Sequence, residues 1–86
     1  MHLMTAIPDE LSLDGRHPAV REIGRWFTYR HLPAHLQPVS IACVQLAAKM
    51  IDGYSDSPEL TAGLRKLLEA KDCFVRAAIA EQEADR

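Results

Sequence analysis

Asp52-Gly53-Tyr54-Ser55-Asp56-Ser57-Pro58-Glu59 is a helix stop followed at once by a helix start. Gly53 suits the end of a helix, because glycine enters the left-handed region without a Cβ clash. Ser57 suits the N-cap of the next helix, Pro58 its first position and Glu59 the positive end of its dipole. Long helical patterns flank this turn. Before it, Leu36, Val39, Cys43, Leu46 and Met50 keep a three-four spacing, the mark of a packing seam, with Ile41, Val44, Ala48 and Ile51 as a second apolar stripe. After it, Leu60, Leu64, Leu67, Phe74 and Ala78 mark a seam with Leu68, Val75 and Ile79 alongside, on a helix expected from Pro58 to about Gln82. Two helices joined by so short a turn predict an antiparallel helical hairpin.

Working outward, the first long helix starts either at Ala34 or at Pro38. A proline deep in a helix costs about 3 kcal/mol, so either Pro33 to Gln37 form a turn or the helix kinks there. A shorter helix is expected after His17, with Pro18 at its first position and Val20, Ile23 and Phe27 on one face, ending near Thr28. Residues 1–15 lack periodicity and carry Pro8 and Gly15; they read as a flexible arm ahead of one helical domain, 16–86. The expected fold class is all-α, a short N-terminal helix followed by the long hairpin. Apolar stripes on two sides of the first long helix ask for more than one partner, which favours a symmetric homo-oligomer.

The chain has 86 residues, of which 48% are apolar, so it is one domain near the lower limit for a self-sufficient core. Its net charge of −2 disfavours nonspecific binding along duplex nucleic acid. No signal peptide and no apolar run of bilayer length is apparent, so no membrane role and a cytoplasmic location are expected. Cys43 and Cys73, among apolar neighbours, read as core residues; Lys71 falls on the seam, where it either snorkels outward or faces an intersubunit pocket.

Catalytic signatures are lacking. His31 and His35 have a spacing that two metal ligands can use, but they bracket Pro33 and lack a third ligand, so no metal is expected. The serines read as helix-interior and capping residues, the four glycines are scattered, and no cofactor motif is present. The reading is therefore noncatalytic. What remains is the aromatic and basic run from Arg16 to His35, with Arg16, Arg21, Arg25 and Arg30 against Glu22 alone. Base stacking on an aromatic ring is worth about 1–3 kcal/mol, and arginine grips phosphate in a bidentate fashion. Trp26, Phe27 and Tyr29 cannot all face one way; Phe27 reads as core, and Tyr29 and Arg30, at the expected helix exit, are the chosen pair. Arg65, Lys66, Lys71 and Arg76 are secondary candidates, and Asp72 and Arg76 form an expected helix pair four apart.

The runs Phe27-Thr28-Tyr29-Arg30-His31-Leu32-Pro33 with Gln37, Leu46-Ala47 with Met50-Ile51, and Leu64 to Ala70 with Arg76 to Ala80 resemble a phage family of anti-CBASS and anti-Thoeris sponge proteins. The resemblance covers roughly residues 25–80. It implies a symmetric helical oligomer, commonly a hexamer, that sequesters cyclic nucleotide immune signals between protomers without cleaving them. Some members also hold cyclic trinucleotides or a cyclised ADP-ribose derivative. It further implies that Tyr29 stacks on a base. A phosphate-gripping lysine that some members place early in the long helix aligns with Val44 here, which leaves Arg30, Arg65 or Lys71 to neutralise phosphate. The competing reading is a small phage protein–protein interaction module whose apolar stripes dock on a host partner; a nucleic-acid-binding protein ranks third, lacking a recognition helix.

Overall fold

The structure, a computed structural model, describes residues 11–84. These are 73% helical and contain no strand. Three α-helices follow in order, α1 (Pro18–Gly24), α2 (Gln37–Gly53) and α3 (Pro58–Ala84), with a 3-10 turn at Ala34–Leu36 leading into α2. Both expected starts of the first long helix are therefore partly right: Ala34 opens a tight turn, and the α-helix proper begins beside Pro38, where the missing N–H is harmless.

The start signals operate as expected. His17 caps α1, its Nδ1 accepting from the Ala19 N–H at 3.0 Å, and Pro18 holds the first position. At α3 the Leu60 N–H donates to Ser57 Oγ at 3.0 Å. The stop differs. Gly53 is the last residue of α2 and does not take the left-handed conformation; Tyr54 follows in an extended one. Arg16 does the capping instead. Its guanidinium donates from Nη1 to the Ile51 carbonyl at 2.6 Å, from Nη2 to the Tyr54 carbonyl at 2.8 Å and from Nε to Asp56 Oδ1 at 2.7 Å. A cation at the negative end of α2 satisfies carbonyls that the helix leaves open. Asp56 Oδ2 also accepts from the His17 N–H at 2.6 Å. The chain before α1 is thus tied to the connection between α2 and α3.

Residues 1–10 of the expected arm lie outside the described residues. The rest of it is packed: Leu11 is buried in the core, and Leu13 lies against Gly24, where an added Cβ would stand 2.8 Å from a Leu13 methyl. Gly15, at φ 75°, turns the chain between Leu13 and Arg16, a conformation in which a Cβ is strained.

The core contains Val20, Ile23, Phe27 and Tyr29 from the N-terminal segment, Val44, Ala47 and Ile51 from α2, and Leu64 from α3. α2 therefore buries a face centred on Ala47, between the two expected stripes, and Leu46 of the expected seam is 44% exposed. α3 packs on both α1 and α2 and buries only Leu64 and Lys71. At 1.5 Å per residue it is about 15 Å longer than α2. Its last turns extend beyond that packing, leaving Phe74 and Ile79 exposed. Cys73 is exposed too, which corrects the expectation that both cysteines are core; Cys43 is buried. No helix among the described residues is long and apolar enough to cross a membrane.

Candidate functional site

α1 ends at Gly24, earlier than its apolar spacing suggests, and the following residues fold back through tight turns. The Phe27 N–H donates to the Gly24 carbonyl at 3.0 Å, the Thr28 N–H to Trp26 at 3.0 Å and the Leu32 N–H to Tyr29 at 3.0 Å. Two α2 side chains pin this connection: Ser40 Oγ donates to the Thr28 carbonyl at 2.8 Å and Gln37 Nε2 to the Leu32 carbonyl at 3.0 Å. From Trp26 to Arg30 the side chains alternate as in extended chain. Phe27 and Tyr29 point into the core, and Trp26 and Arg30 point out.

That alternation corrects the choice of Tyr29 as a stacking platform. Tyr29 is 4% exposed and belongs to the core cluster, so its ring presents almost no face to a ligand. Arg30 lies over it, guanidinium carbon 5.5 Å from the ring centroid. The outward ring is Trp26, 54% exposed, with the Arg25 guanidinium carbon 4.7 Å from its centroid. A cation over the indole face is a favourable pairing that also displays a charge beside a flat surface.

Trp26 stands at the mouth of an open cleft of about 520 Å³ between this connection and α3. Arg25, Thr28 and His31 line one side, Leu68, Lys71 and Asp72 the other. Thr28 Oγ1 and His31 Nδ1 lie 3.2 Å apart. Lys71 is the notable member. Its stem is packed, leaving the residue 5% exposed, while its Nζ reaches the cleft with the Asp72 carboxylate oxygen Oδ1 at 3.9 Å, as the snorkelling reading has it. An ammonium at a cleft wall with so loose a partner is placed to pair with a bound anion. Behind it, burial pushes the Cys43 thiol above its ordinary pKa, an effect the Lys71 charge partly opposes. Cys43 therefore stays a protonated, unreactive thiol at neutral pH.

The other expected residues lie elsewhere. Arg65 lines a second cleft, with His17 and Thr61, beside the start of α3. Arg76 is exposed further along α3, where its Nη2 donates to Cys73 Sγ at 3.4 Å rather than pairing with Asp72. Of Tyr29, Arg30, Arg65, Lys71 and Arg76, then, only Lys71 lines the cleft beside the exposed indole. No group of three or more His, Cys, Asp or Glu side chains among the described residues is placed to hold a metal ion. Trp26 and Arg25 were missed as ligand groups because a helix running to Thr28 puts them on its solvent side; the two-residue alternation of Phe27 and Tyr29 was the available signal.

A second surface feature is apolar. Leu46 and Met50 of α2 and Leu60, Gly63 and Leu67 of α3 line a shallow groove of about 300 Å³. Comparison of the chain with protein-family models, with curated proteins and with solved structures finds no match.

Proposed function

We propose that this protein is a noncatalytic binding protein that captures an anionic, ring-bearing small ligand of the nucleotide class at the Trp26–Lys71 cleft. The observation that carries this reading is an exposed indole in one cleft with Lys71, whose stem is packed and whose ammonium has a carboxylate beside it only at 3.9 Å. The indole supplies a stacking face for a base, and Lys71 and Arg25 supply charge for a phosphate. The cyclic oligonucleotide sponge fits this chemistry, with Trp26 in place of Tyr29 as the ring that stacks.

In this reading α2 and α3 form an antiparallel hairpin that meets further copies through the groove at Leu46 and Met50, in a symmetric oligomer such as a hexamer. Its setting would be the cytoplasm of a phage-infected bacterium, and its effect removal of a CBASS- or Thoeris-type signal. Sequestration needs an affinity near the nanomolar class, about −12 kcal/mol. The test is a thermal-shift panel of cyclic dinucleotides, cyclic trinucleotides and cyclic ADP-ribose. A true ligand raises Tm through linkage, and Trp26→Ala weakens its binding by about 1–3 kcal/mol. A panel with no shift removes the reading.

The apolar groove and the exposed Phe74 support a second reading, a module that docks on another protein. Such a module ignores every nucleotide in the panel and runs as a single chain in light scattering.

A further inference from the structure

Phe74 continues a surface that begins in the apolar groove. It stands seven residues after Leu67 and eleven after Gly63, about two and three turns on, so all three share one flank of α3. Among the described residues that flank is left open: Phe74 is 55% exposed, and Leu46 on the α2 wall of the groove 44%. Gly63 fits the same picture. A glycine inside a helix is destabilising relative to alanine, yet a Cβ added there would meet nothing within 4 Å. Such a gap suits the close approach of a backbone from outside the chain. Charge identifies which backbone. Lys66 and Glu81 border the flank toward its two ends, both exposed and neither paired among the described residues. Fifteen residues separate them, about 22 Å along α3, so they cannot meet within one chain.

We propose that this flank of α3 is a docking surface for α3 of a second copy of the chain, running antiparallel. The inference rests on the self-association in the reading above, not on its ligand, and names what the groove receives. In the antiparallel pair Lys66 meets Glu81 of the second copy, and Glu81 meets Lys66 of the second copy. A parallel pair would set like charges together, so charge selects the direction. The two-fold axis of this register passes beside Phe74, which brings the two Phe74 rings together at the centre of a self-complementary contact. Ala70 faces Ala77 of the second copy, and the last described turn, ending at Ala84, lies alongside Gly63 in the groove. The Trp26–Lys71 cleft, on the other flank, stays open.

Sedimentation of the full-length chain over a concentration series tests the pairing. Phe74→Asp, at an exposed helix position whose folding circular dichroism checks, is expected to shift the assembly to smaller species. Lys66→Glu sets like charges together twice and should raise the dissociation constant about tenfold, and adding Glu81→Lys should restore it. That rescue cannot arise inside one chain, because the two positions lie too far apart. A double variant that associates no better than Lys66→Glu alone overturns the pairing. Two further results separate it from the wider reading. Assembly lost in Leu46→Asp but intact in Phe74→Asp removes the antiparallel pairing and leaves self-association standing. An unaltered protein that sediments as a single chain at every concentration removes both.

Discussion

Two charged residues show how position decides what a side chain is for. Asp56 is held below the usual aspartate pKa first by the His17 N–H; desolvation, the next-largest effect, opposes this, and the Arg16 guanidinium adds to the lowering. A carboxylate with a depressed folded-state pKa contributes stability that is fully present above its unfolded value, near 3.9. That contribution is lost as pH falls through the lower folded value. Asp56→Asn should therefore be less stable than the parent at neutral pH, and urea midpoints of the two proteins should converge as pH drops below about 4. A gap that stays constant with pH would mean that the Asp56 charge does not stabilise the fold. Lys71 differs, with a packed stem and an ammonium that has the Asp72 carboxylate beside it only at 3.9 Å. Lys71→Met keeps the packed stem and removes the charge, so stability should change by no more than about 1 kcal/mol, while any nucleotide binding of the kind proposed is lost. A large fall in Tm would instead make Lys71 part of what holds α3 in place. Lys71 was partly legible, as a charge on an apolar seam; the Arg16–Asp56 pair was not. Arg16 and Asp56 lie 40 residues apart and meet only because α3 packs against α1 and α2.

At the level of elements, the starts were legible and the ends were not. His17-Pro18 and Ser57-Pro58-Glu59 are local signals, made of a capping side chain and a proline within two or three residues, and each operates in the structure. The end of α1 is set by packing. Phe27 and Tyr29 both reach the core because the helix stops at Gly24 and the chain turns through Arg25 and Trp26, and Ser40 and Gln37 of α2 hold the following connection by its carbonyls. The seam of α2 was read one position away from its buried centre at Ala47, because the helix is apolar on both sides and spacing alone does not say which side faces its own chain. This gives Leu46 a specific test. With 44% of its surface exposed, Leu46→Asp should leave the single chain folded, with a Tm change of no more than about 0.5 kcal/mol equivalent, while breaking assembly through the groove. Light scattering decides it: a variant of unchanged size would show that assembly does not use this face.

At the scale of the molecule, an uneven partnership between helices shapes the surface. α3 is packed at its beginning and unpartnered at its end, and the described protein measures 46 × 36 × 19 Å, its long dimension compatible with a helix of about 40 Å. Such a body offers the Trp26–Lys71 cleft and the apolar groove on different flanks of α3, since Leu68 and Asp72 line one and Gly63 and Leu67 the other. On the proposed reading, ligand capture and self-association would then be separable, with Leu46→Asp abolishing only assembly and Lys71→Met only binding. The amino-acid sequence by itself determined the helical class, the three helices in order, the turn at 54–57 and the capped starts, because periodicity and capping act within a few residues. Only the tertiary structure decided which aromatic ring faces solvent, which cation is buried and what caps α2. Those depend on residues far apart in the chain competing for one small core, where turning Tyr29 inward turns Trp26 outward.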